Sequence, residues 1–147
     1  MNLSLPSSLS VKDGHLFCGG ADCVELAEKF GTPLYVTDEL HIVENFRRYE
    51  AALKQYTDKV QLLYAAKANE NPVIMQTLAA EGAGADVFSL GEMQAALDSG
   101  MPAEKLLFNG SSKTEAALRA AIEKGIKISV DSVDELRQID LISREMQ

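Results

Sequence analysis

Positive charge is scarce in this chain. Against 22 Asp and Glu its 147 residues set only 14 Lys and Arg, a formal net charge of −8. That balance argues against a nucleic-acid partner and against docking on an anionic membrane. Long apolar runs are missing too: none reaches the ~18 residues of a membrane-spanning helix. Met1-Asn2-Leu3-Ser4-Leu5-Pro6 lacks the basic start and apolar core of a secretory signal, so a cytoplasmic location is expected. Cysteine and histidine are sparse. Cys18 and Cys23 flank a Gly-Gly pair, and neither His15 nor His41 completes a ligand spacing. Both cysteines therefore read as free thiols, and no metal site is expected. No G-x-G-x-x-G or P-loop follows the first strand, which lowers the dinucleotide and nucleotide readings.

What is present centres on Val60-Gln61-Leu62-Leu63-Tyr64-Ala65-Ala66-Lys67-Ala68-Asn69. This bounded apolar run lacks helical periodicity and reads as a strand buried on both faces, with turn residues after it. Alternation along the strand places Lys67 on the face of Ala65 and Leu63. Lys67 then stands at the carboxyl end of a parallel strand, where ligands bind in α/β folds. A partly desolvated amine there is a usable nucleophile toward an aldehyde or ketone. The competing reading is a lysine that snorkels into solvent.

Around that run the chain is periodic. Residues 1 to about 12 are polar and Ser-rich and read as loose, while Asp13-Gly14 between Val11 and Leu16-Phe17 is a weak hairpin signal. A helix is expected over Ala21–Phe30 with Gly31 as its stop, then a short strand at Leu34-Tyr35-Val36, then a helix capped by Asp38 and ending near Tyr56. From Val60, strand-like runs end at Lys67, Phe88, Asn109 and Asp131, at intervals of 21, 21 and 22. Helix starts follow each: Asn71-Pro72, then S-x-x-E boxes beginning at Ser89, Ser112 and Ser132. Gly82 and Gly125 read as stops. Strand, capped helix, glycine, strand is a βα repeat with a parallel sheet. Units this short favour a (β/α)₈ barrel, but only four or five strands fit, and such a barrel takes ~250 residues. The expected fold is a partial (β/α)₈ barrel, the front half of a larger one.

Several blocks together resemble a known family. They are Gly31-Thr32-Pro33-Leu34-Tyr35-Val36, Tyr64-Ala65-Ala66-Lys67-Ala68-Asn69, Gly84-Ala85-Asp86-Val87-Phe88-Ser89-Leu90-Gly91-Glu92 and Phe108-Asn109-Gly110. Over roughly residues 11 to 143 they are similar, in order and spacing, to the diaminopimelate decarboxylases. Those belong to the alanine-racemase-like, fold-type III group of pyridoxal 5'-phosphate enzymes, with ornithine and arginine decarboxylases as relatives.

The resemblance implies that Lys67 holds the cofactor covalently and that Asp86 lines the cofactor site. Glu92 falls on a matching acidic position nearby. Asn109 and Asp131 stand at later strand ends, and neither is assigned to catalysis. Read without the family, Asp86 is equally a strand-end carboxylate satisfying the next helix's amides, and the Ser89 box explains Glu92 without chemistry. The resemblance further implies residues 1–33 as a leader packing on a C-terminal β-domain, and 34–147 as the first half of the cofactor-binding barrel. The phosphate loop, the acid facing the pyridine nitrogen and the partner subunit's contribution would come from later segments. The implied activity is decarboxylation of diaminopimelate to lysine by a homodimer, with the 147 residues inactive alone. Ornithine or arginine as substrate, and a non-catalytic decarboxylase-like binder, are the alternatives.

Overall fold

In the computed structural model, which describes residues 5–146, the chain divides into two compact units, residues 1–48 and 49–147. The first opens with β1 (Leu9–Lys12), β2 (His15–Cys18) and β3 (Ala21–Asp22), an antiparallel sheet in that order. Asp13 and Gly14 turn β1 into β2 with φ of 51° and 84°, the left-handed pair a two-residue hairpin loop demands. The stretch expected to be loose is therefore partly a strand; its first four residues lie outside the described part. Helix α1 spans Cys23–Phe30. It starts two residues later than expected because Ala21 and Asp22 pair with β2. Asp22 caps it, accepting from the Val24 and Glu25 amides. A hydrogen bond with the His15 side chain, chiefly, holds the Asp22 carboxyl below its ordinary range.

Leu34-Tyr35-Val36 forms no strand. A β-strand exists only through its ladder, and here none forms; Tyr35 is wholly exposed. Helix α2 (Glu39–Lys54) begins after Asp38, whose carboxylate accepts from the His41 amide, and crosses the boundary between the units.

The second unit is the predicted repeat. β4 (Leu63–Ala65), β5 (Gly84–Val87), β6 (Leu106–Phe108) and β7 (Lys127–Ile128) form one parallel sheet in sequence order. Leu63 pairs with Gly84, Ala85 with Leu106 and Leu107 with Lys127, so the ladder carries the sequence interval almost unchanged. Helices α3 (Pro72–Ala80), α4 (Leu90–Asp98), α5 (Glu115–Glu123) and α6 (Val133–Glu145) connect and follow the strands. Each helix packs on the next along the sheet. Ala85, Val87, Leu106 and Phe108 are buried with Met75, Leu78, Met93, Ala96, Leu118 and Ile142 of the helices. The alternate row, Ala65, Asp86 and Leu107, pairs across three strands and is only half-buried. A parallel sheet with its helices on one face and a partly open row on the other is an arc of a (β/α) barrel.

Asn71 caps α3, with Pro72 at its first position, and Ser89 and Ser132 cap α4 and α6 through their hydroxyls. The middle box differs. Thr114, not Ser112, caps α5, accepting from the Ala117 amide.

Candidate active site

Lys67 does not lie on its strand. β4 ends at Ala65, and Ala66–Ala68 close a 3₁₀ turn, Asn69 N–H donating to Ala66 O at 3.1 Å. The Tyr64 hydroxyl ties this turn down by donating to Asn69 O at 2.9 Å, and burial pushes its phenol above the ordinary range. The alternation expected for Lys67 thus stops two residues short of it, and the side chain is exposed rather than partly desolvated. Nor is β4 buried on both faces: it is the first strand of its sheet, and Leu63 is 36% exposed. Lys67 does stand at the carboxyl end. Its Nζ lies 4.1 Å from the ring centroid of Phe88, the residue just past β5.

Phe88 joins the three residues singled out from the sequence. Lys67 rests over its ring, Asp86 precedes it by two on β5, and Glu92 Oε2 accepts its backbone N–H at 2.9 Å. Ser89 Oγ in turn accepts from the Glu92 amide at 3.1 Å. The Glu92 carboxylate therefore holds the β5–α4 junction closed. Asp86 is different. Its Oδ1 is buried and has no hydrogen-bond partner, Lys67 included. A lone buried carboxylate oxygen is costly to maintain, so the expected use of Asp86 on the α4 amides is not what this oxygen does.

Asn109 lies just past β6, its N–H donating to Val87 O at 2.8 Å and its side chain accepting from Gly110 N at 2.9 Å. Gly110 backs the Phe88 ring: a Cβ at Gly110 would meet Phe88 Cδ1 at 2.9 Å. Asp131 lies beyond β7 and is exposed, its backbone N–H donating to Glu135 Oε1 at 3.3 Å. Two further residues are given no part in the site by the sequence, Lys113 and Glu135. The Lys113 side chain is completely buried, and its Nζ donates to Gly110 O, Ser129 O and Glu135 Oε1. A lysine within Ser-Ser-Lys-Thr carries no local mark of burial; of the pair only Glu135, the third residue after a box serine, has a sequence signal. Among the described residues no group of His, Cys, Asp or Glu could hold a metal ion.

An amine at the carboxyl end of a parallel strand, one strand from an unsatisfied carboxylate, suits a domain that binds a carbonyl compound through an imine. Residues 39–147 match the family model described as pyridoxal-dependent decarboxylase, pyridoxal binding domain, and the chain belongs to that family. It is 42% identical over 132 residues to diaminopimelate decarboxylase of Methanothermobacter thermautotrophicus, covering 90% of this chain and 31% of that one. Its structure resembles that of diaminopimelate decarboxylase from Methanocaldococcus jannaschii in complex with L-lysine, with TM-score 0.91 and 42% identity over 95% of this chain and 33% of the other. It also resembles lysine/ornithine decarboxylase from Vibrio vulnificus complexed with putrescine, with TM-score 0.68 and 33% identity over 80% and 32%. The chain spans about a third of the length of the relatives it matches. The fold is that of the first part of these decarboxylases, and the domain is a pyridoxal-binding one.

Proposed function

We propose that this chain supplies the amine-bearing half of the active site of a pyridoxal-phosphate-dependent decarboxylase that converts meso-diaminopimelate to L-lysine and carbon dioxide. The observation that carries the reading is the Lys67 amine, over the Phe88 ring at the carboxyl end of the sheet, with the unpartnered Asp86 oxygen on the neighbouring strand. These groups fit the cofactor: Lys67 offers the amine for its carbonyl, and Asp86 Oδ1 offers an acceptor otherwise left empty. When bound, pyridoxal phosphate supplies the electron sink for the pair left behind as carbon dioxide departs. Lys67 Nζ holds the cofactor and, when freed, carries a proton at the mouth of the site. Asp86 accepts a hydrogen bond and balances positive charge there. Glu92 contributes by fixing the backbone of Phe88, and Tyr64 by fixing the turn under Lys67.

Diaminopimelate is favoured as substrate because relatives with that named activity are 42% identical over nearly the whole chain. Lysine or ornithine is the second reading, on the likeness to the lysine/ornithine enzyme. The reading extends to residues 1–33 as a leader for a β-domain and to a cytoplasmic homodimer. The charge of −8 supports the absence of nucleic-acid and anionic-membrane partners.

The test is borohydride reduction after addition of pyridoxal phosphate, with the labelled lysine mapped. Lys67 is expected to carry the label and Lys67→Ala to abolish it. Label on any other lysine overturns the site. The 147 residues alone are expected to release no carbon dioxide, and the longer polypeptide to prefer diaminopimelate over lysine and ornithine; the reverse preference selects the second reading.

A further inference from the structure

Lys113 takes no part in the chemistry assigned to Lys67, yet its side chain is 0% exposed. An ammonium has three N–H donors, and all three are used: Gly110 O at 2.6 Å, Ser129 O at 2.8 Å and Glu135 Oε1 at 2.9 Å. Glu135 is itself 9% exposed and also accepts from the Asp131 amide. A buried ion pair is poor evidence of net stabilisation, because desolvation offsets much of the attraction. What this one does have is geometry. Two of its acceptors are backbone carbonyls beyond the carboxyl ends of two successive strands, β6 and β7, so the ammonium fixes the β6–α5 loop against the end of β7.

The loop point it grips is the one the site leans on. Gly110 has φ of 96°, and a Cβ there would lie 2.9 Å from Phe88 Cδ1; the bare backbone is the seat of the ring. That ring holds Lys67 Nζ at 4.1 Å. A chain of contacts therefore runs from Glu135 and Lys113 through Gly110 to Phe88 and the amine. We propose that Lys113, held by Glu135, is a positioning residue for Lys67: it sets the Gly110 backbone against which Phe88 is seated, and Phe88 places the amine. The proposal rests on the reading of Lys67 as the cofactor-binding amine, but its test reads the amine's position without the cofactor.

In the full chain with isotope-labelled lysine, the Lys67 ε-methylene resonance is expected upfield of those of exposed lysines, shifted by the Phe88 ring. Its disappearance in Lys67→Arg assigns it. Phe88→Leu is expected to return it to the exposed-lysine position, and so are Lys113→Met and Gly110→Ala. Adding Lys113→Met to Phe88→Leu is expected to move it no further. Trapping of pyridoxal phosphate on Lys67 at limiting cofactor is expected to slow by about two- to fivefold in Lys113→Met, the scale of one exposed cation–π contact. A folded Lys113→Met whose Lys67 resonance has not moved overturns the proposal, because a strut that only stabilises leaves the native-state shift alone. Should Lys113→Met fail to fold, Gly110→Ala, which keeps the buried pair, takes its place: an unmoved Lys67 resonance there overturns the proposal equally. If the unaltered chain is not trapped at Lys67 but its resonance still answers to Lys113, the functional reading falls and the positioning stands.

Discussion

One oxygen of Asp86 carries a cost that no group among the described residues offsets. Its buried, unpartnered Oδ1 forfeits hydration worth about 1–3 kcal/mol, the trade of stability for function often found at binding sites. Asp86→Asn is expected to raise the unfolding free energy in urea by about 1 kcal/mol while weakening retention of pyridoxal phosphate on Lys67. A variant both less stable and unchanged in retention would place the oxygen outside the site. Tyr64 gives a pH dependence. Burial raises its phenol above the ordinary range, so its contribution is complete below the unfolded value of about 10 and is lost as pH rises through the folded value. Tyr64→Phe is expected to cost about 1 kcal/mol near neutrality, through the lost bond to Asn69 O. It should also flatten the alkaline fall in stability, measured by urea unfolding at several pH values.

The elements are short, and their ends decide them. Helices of nine residues such as α3, α4 and α5 are too short to persist alone, so caps and packing share the work. Thr114→Ala should cost about 1 kcal/mol, since its hydroxyl satisfies the Ala117 amide. Ser112→Ala should stay within about 0.5 kcal/mol, as expected for an exposed residue outside any cap. Thermal melts of the pair separate the true start of α5 from the one its S-x-x-E pattern suggests. The boxes at Ser89 and Ser132 are legible because an extended strand end hands the chain directly to the helix. At Ser112 the buried Lys113 intervenes. Its ammonium draws the loop inward to Gly110 and Ser129, and the helix starts two residues later. No local pattern announces that pull.

At the scale of the whole molecule the second unit has one core, between the sheet and its row of helices. Phe108, fully buried on β6, is expected to cost roughly 3–5 kcal/mol as Phe108→Ala. Leu63→Ala on half-exposed β4 should cost well under half of that in the same urea titration. Equal losses would mean that the open row is as well covered as the helix side. The parallel order is readable from the sequence because strand-like runs recur at a nearly constant interval, the strands themselves ending at Ala65, Val87, Phe108 and Ile128, and a right-handed βα unit stacks each strand beside the last. The strand expected at Leu34–Val36 fails for a related reason. Its apolar character is real, but a strand is made by a neighbour, and local composition does not reveal whether one pairs with it.

The sequence by itself determined the βα rhythm, the hairpin at Asp13-Gly14, three of the four helix caps beyond β4, and the family signature around Lys67, because each is written in residues close together along the chain. Tertiary structure alone decided where the amine rests and what holds it there. Phe88, Gly110, Lys113 and Glu135 meet across successive strand ends. Contacts between residues some twenty positions apart leave no periodic trace in the chain that makes them.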